Sequence, residues 1–111
     1  MELKLKIETH DNMLECKMLD VRQRSQGMQK EVLPGLTVRY DRKLVQWEFG
    51  YSAFIDFTLK IAEGVGAGPI TRWLYDKLNG RVIKLEVEGT EVTLSEGEIT
   101  RILVEKMKKS Q

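Results

Sequence analysis

The chain has 111 residues, of which 41% are hydrophobic and 32% charged, with 9 Gly and 2 Pro. That balance excludes collagen-like, low-complexity and disordered chains, and the length suits one self-supporting domain, 1–111, that buries about two-thirds of its unfolded surface. Lys+Arg 18 against Asp+Glu 17 leave a net charge of +1, too little for a long-range field toward nucleic acid or an anionic membrane.

Leu3, Leu5 and Ile7 alternate with Lys4, Lys6 and Glu8, the period of a strand with one wet face. Between Asn12 and Lys30 helix and strand compete. Asp11 or Asn12 followed by Glu15 resembles a helix start, with Leu14, Met18 and Val21 on one helical face and Gly27 as a stop, and the helix is the preferred reading. Pro34-Gly35 signals a turn. Beyond it Leu36, Val38 and Tyr40 alternate with polar residues, and Val45, Trp47 and Phe49 resume after the polar triplet Asp41-Arg42-Lys43. A hairpin bent near Asp41 is expected, in preference to one long bent strand.

Ser52 is a plausible N-cap for a helix carrying Phe54, Ile55, Leu59 and Ala62 on a wide apolar face. After Gly64-Val65-Gly66-Ala67-Gly68, Pro69 opens a second helix with Ile70, Trp73, Leu74 and Leu78 buried and Asn79-Gly80 closing it. Val82 to Val87 and Val92 to Leu94 read as a hairpin bent at Glu88-Gly89 or Gly89-Thr90. Ser95 with Glu98 forms a capping box for a last helix lined by Ile99, Ile102, Leu103 and Met107. The expected class is α+β in two layers, a small, mainly antiparallel sheet packed against helices in the order β-(α)-ββ-αα-ββ-α.

Charge is segregated locally. Six bases (Arg22, Arg24, Lys30, Arg39, Arg42, Lys43) face two acids between Arg22 and Lys43, whereas Glu86 to Glu98 holds five acids and no base. These read as solvated surfaces, or as patches that meet opposite charge on a partner or on another copy. One cysteine, Cys16, and one histidine, His10, make neither an internal disulfide nor a zinc site, which suits a reducing, cytoplasmic setting. The N-terminus lacks the apolar run of a signal peptide, and Asp56, Lys60, Glu63 and Arg72 interrupt the most apolar stretch, so no membrane span is expected.

Tests for chemistry fail one after another. Gly64 and Gly66 begin a Gly-x-Gly-x-x-Gly pattern, but Pro69 stands where the third glycine belongs, and no Gly-Lys-Ser/Thr occurs. His10 beside Asp11 and the isolated Cys16 lack the partners that acid–base or nucleophilic catalysis needs. Glu86 with Glu88 and Glu96 with Glu98 lack an apolar pocket to raise a pKa. A pocket lined by His10, Cys16 or Asp56 would reopen the question of an enzyme. No catalytic residue, metal ligand or cofactor site is assigned. Candidate partner-binding residues are Arg39, Tyr40, Arg42, Lys43, Trp47 and Trp73: aromatic anchors beside a basic segment.

From about Gly50 to Met107 the order of features resembles the bacterial effector-associated constant component domain. The matching stretches are Ile61-Ala62-Glu63-Gly64-Val65-Gly66-Ala67-Gly68, Trp73-Leu74, the hairpin Val82 to Leu94 and the helix from Ser95. The resemblance implies a small α+β adaptor without catalytic residues, although no effector domain is attached and Arg22 to Lys43 has no counterpart. The reading at this level is a soluble, non-enzymatic domain working through a protein partner or self-association. Single-stranded nucleic-acid binding through Arg39, Arg42, Lys43 and Trp47 is the alternative, disfavoured by the neutral net charge.

Overall fold

Leu3, Leu5, Ile7 and Thr9 are buried while Glu2, Lys4 and Lys6 face solvent, and this alternation makes Glu2–Thr9 the strand β1. The computed structural model describes residues 1–48 and 50–109. Among them the further strands are β2 (Gln29–Leu33), β3 (Leu36–Gln46), β4 (Ser52–Ile61), β5 (Val82–Val87) and β6 (Thr90–Val92). The helices are α1 (Leu14–Leu19), α2 (Ala67–Leu78) and α3 (Glu96–Lys109). The strands form one six-stranded sheet in the order β2-β3-β4-β1-β5-β6, with every neighbouring pair antiparallel. The two-layer α+β class expected from the sequence is the one observed.

One face of this sheet is apolar. Leu3, Leu5 and Ile7 of β1, Leu36, Val38 and Tyr40 of β3, and Ala53, Ile55, Phe57, Leu59 and Ile61 of β4 share a single buried cluster with residues of all three helices. Leu14, Met18 and Leu19 come from α1, Ile70, Trp73, Leu74 and Leu78 from α2, and Ile99, Ile102 and Leu103 from α3. The helices α2 and α3 also meet each other, where Thr100 Oγ1 donates to Thr71 Oγ1 at 3.1 Å. The opposite face carries charged residues along β1, β3, β4 and β5. No helix among the described residues is long and apolar enough to cross a membrane.

Two expected elements are corrected. Ser52–Ile61 is a strand, not a helix capped by Ser52, so the glycine-rich stretch joins a strand to α2 and is not a joint between two helices. The period-3.6 match of Phe54, Ile55 and Leu59 competed with a complete period-two set, Ala53 to Ile61, and pairing on both sides decided the outcome. Nor is there a hairpin at Asp41. The strand β3 runs unbroken for 11 residues, and a bulge between Tyr40 and Arg42 absorbs the polar triplet. Its hairpin partners are β2, through Pro34-Gly35, and β4, through the segment after Gln46.

Smaller differences concern the helix ends. Between Asn12 and Lys30 the helix prevails over the strand, but α1 stops at Asp20, which takes a left-handed conformation with φ 54°, and Gly27 lies beyond it. The strand β2, unforeseen in the sequence, follows. Ser95 Oγ accepts the Glu98 N–H at 3.3 Å as a capping box requires, but the Glu98 carboxylate turns to Arg101 at 2.9 Å instead of reaching back. Glu88 and Gly89, with φ 50° and 80°, make the tight β5–β6 turn.

Candidate interaction surface

The bulge in β3 decides what this strand presents to its surroundings. Before it, even-numbered side chains enter the core; after it, odd-numbered ones do, since Lys43 lies opposite Ile55 and Val45 opposite Ala53. Lys43 is thereby aimed under the sheet, where its Nζ lies 2.7 Å from Oε2 of Glu15, a carboxylate with 0% exposure on α1. The same ammonium donates to the Asn12 carbonyl at 3.1 Å and stands 5.5 Å from the Tyr51 ring centre. Arg24 Nε approaches Glu15 Oε1 at 3.8 Å. Neither Glu15 oxygen nor the buried Tyr51 hydroxyl has a partner in good hydrogen-bonding geometry, so the cluster is held by charge. Burial opposes the Lys43 charge, but Glu15 and Tyr51 more than offset this and hold its pKa above the ordinary lysine value. Burial and the Glu15 charge likewise push the Tyr40 phenol up.

Past this anchor the end of β3 is exposed. Leu44 is 63% exposed and Trp47 71%, with Val45 between them also open to solvent. Trp47 rests edge-on against Tyr51, ring centres 5.0 Å apart, so its indole is supported from one side only. The strand edge is bare as well. The strand β2 pairs with Leu36 to Arg39, and Gly27 and Met28 take the backbone groups of Tyr40. Among the described residues no backbone group pairs with the outer edge of β3 from Asp41 to Gln46. An apolar, unpaired strand edge is a template for an added strand.

The candidate partner-binding residues do not converge. Trp47 and Arg42 are exposed, the latter with Nε 2.5 Å from Asp56 Oδ2. Arg39, on the charged face, binds Asp41 at 2.6 Å and Thr58 at 3.1 Å. Asp41 and Asp56 raise the pKa values of Arg39 and Arg42 by direct hydrogen bonds. Tyr40 and Lys43 point to the core side, and Trp73 is buried within α2 at 8% exposure. Much of the basic segment is therefore matched by acids of the same chain. Sequence reasoning missed Leu44, Val45 and Glu15. The change from even to odd apolar positions across Asp41 was the available signal for the bulge. Phe49 lies outside the described residues.

The groups considered for chemistry are scattered. His10 Nδ1 sits 2.8 Å from the Tyr51 carbonyl, in a shallow region shared with Asp11, Lys17 and Arg81. Asp11 itself is partly buried, which opposes its charge, but Lys17, the Met13 N–H and Arg81 together lower its pKa. Cys16 is buried, and its Sγ lies 3.9 Å from the Arg22 carbonyl. Asp56 lines a different, open depression of about 460 Å³ on the charged face with Lys4, Lys6, Asp41, Arg42 and Glu86. His10 and Asp56 line separate depressions and the buried Cys16 lines neither of them, and among the described residues no group of three or more His, Cys, Asp or Glu could hold a metal ion. No protein-family model, curated protein or solved structure matches this chain.

Proposed function

We propose that this chain is a non-enzymatic interaction domain, working in the cytoplasm, whose contact surface is the free end of β3. The observation that carries the reading is the coincidence of an unpaired strand edge with Leu44 and Trp47, each more than half exposed. Burying such side chains against a partner contributes about 1.5–3 kcal/mol each, and strand addition satisfies the open backbone groups at the same time. The adaptor role implied by the likeness to effector-associated constant component domains points the same way. Nucleic-acid binding draws less support, because Arg39 and Arg42 are engaged by aspartates and Lys43 by Glu15.

The test is association of the purified full chain, with itself or with a partner reconstituted from purified parts, compared with a Leu44→Glu/Trp47→Glu variant. Circular dichroism should show the variant folded, and its association should be lost. A wild-type chain that stays monomeric with no reconstitutable partner overturns the reading, as does a variant that associates equally well. Low-salt binding of single-stranded oligonucleotides that fails in Arg42→Ala would transfer the surface to the nucleic-acid alternative.

A further inference from the structure

The connection from α2 to β5 carries the one Asn-Gly step of the chain, Asn79-Gly80. Asn79 (φ −58°, ψ 124°) and Gly80 (φ 78°) are the central residues of a type II turn, closed by the Arg81 N–H donating to the Leu78 carbonyl at 2.9 Å. Both residues are exposed. Asn79 gives its own N–H to the Tyr75 carbonyl at 2.9 Å, but the Gly80 N–H donates to no group among the described residues. The third position of this turn favours glycine, and glycine leaves the peptide nitrogen without a side chain to shield it. A carboxamide thus stands next to a backbone nitrogen that is neither shielded nor bonded. The other asparagine lacks this arrangement. Asn12 precedes Met13, whose N–H is held by Asp11 Oδ1 at 2.9 Å.

We propose that Asn79 is a site of slow self-modification. The Gly80 nitrogen attacks Asn79 Cγ, a new N–C bond forms, and the carboxamide nitrogen leaves as ammonia with the proton that Gly80 gave up. Water then opens the resulting five-membered imide to aspartate or isoaspartate. The fold sets the rate of this step. With ψ at 124° the Gly80 nitrogen is turned away from the Asn79 side chain, and bringing it round breaks the bond between Leu78 and Arg81. Reaction therefore proceeds through local opening at the end of α2. Either product leaves a negative charge at the C-terminus of α2, where the helix dipole opposes it. Isoaspartate also lengthens the main chain by a methylene just ahead of Arg81. That residue is a junction: its carbonyl accepts the Thr9 hydroxyl, and its guanidinium reaches the Lys77 carbonyl at 3.1 Å and Asp11 at 3.8 Å.

Incubation of the full chain in mildly alkaline buffer, followed over time by peptide mapping with mass spectrometry, tests this. Asn79 should convert to isoaspartate as well as aspartate while Asn12 stays intact. The chain unfolded in urea should convert at Asn79 faster by about tenfold or more, because no turn has to open. Gly80→Ala should lose most of that conversion in urea, a comparison that holds whether or not the variant folds. The isoaspartate form, separated by chromatography, should melt several degrees below the unmodified chain, and Asn79→Asp should melt closer to it. An Asn79 no more reactive than Asn12 in the folded chain, or a product free of isoaspartate, overturns the site. Equal rates in the folded and unfolded chain overturn control by the turn, and an unchanged melting point of the isoaspartate form overturns the link through Arg81.

Discussion

Lys43 on β3 and Glu15 on α1 form an ion pair of 2.7 Å in which the carboxylate has no exposed surface. The pair ties the short helix to the strand whose far end is bare, and it exists only because the bulge at Asp41 turns Lys43 inward. Breaking such a pair from one side leaves a buried charge uncompensated. Lys43→Met should therefore cost about 3 kcal/mol in urea unfolding, with Arg24 too distant to replace the ammonium. Glu15→Leu combined with Lys43→Met should recover most of that loss. Equal stability of the single and double variants would contradict the assignment.

The same cluster should make stability fall at alkaline pH. Tyr40 and Lys43 both carry raised pKa values in the folded chain, relative to ordinary values of 10.0 and 10.5. Their contribution is fully present below those ordinary values and is lost as pH rises through the folded ones. At the acid end Asp11 has a lowered pKa, so its contribution is present above its ordinary 3.8 and is lost as pH falls through the folded value. Denaturation followed from pH 9 to 12 should show a declining midpoint, with a shallower decline in the Glu15→Leu/Lys43→Met variant. Identical alkaline profiles would remove Lys43 from the account.

Gly35 turns the β2–β3 hairpin with φ 82°, and a Cβ there would stand 2.5 Å from Val65 Cγ2. Gly35→Ala combines left-handed strain with a clash and should cost about 2–3 kcal/mol. Gly27, with φ 88° and open space around it, should cost only about 1 kcal/mol when replaced by alanine. Thermal melts of the two variants side by side separate the clash from the strain.

The two tryptophans should report opposite environments. Trp73, 8% exposed, fills the core beneath α2, and Trp73→Ala should cost about 3–5 kcal/mol. Trp47→Phe should change stability by no more than about 0.5 kcal/mol and should remove the red-shifted, iodide-quenchable part of the emission. Quenching that survives in Trp47→Phe would place the exposed indole elsewhere.

Local pattern was sufficient where a segment meets one environment along its length. The alternation of Leu3, Leu5 and Ile7, the apolar stripe of Ile70, Trp73, Leu74 and Leu78, and the cap at Ser95 each state their element without knowledge of the rest. The α+β class follows from such elements taken together. The β4 segment was harder, because its apolar residues satisfy a helical and a strand period at once, and only pairing with β1 and β3 selects between them. The candidate surface was less legible still. Arg39, Tyr40, Arg42, Lys43 and Trp47 are neighbours in the chain, but pleating and one bulge distribute them over the charged face, the core face and the strand end. The sequence by itself determined the strands and helices that have a single dominant period. Only the tertiary structure decided that Lys43 turns inward to Glu15 and that β2 stops short of Asp41, because both depend on register and strand length across chain segments far apart in sequence.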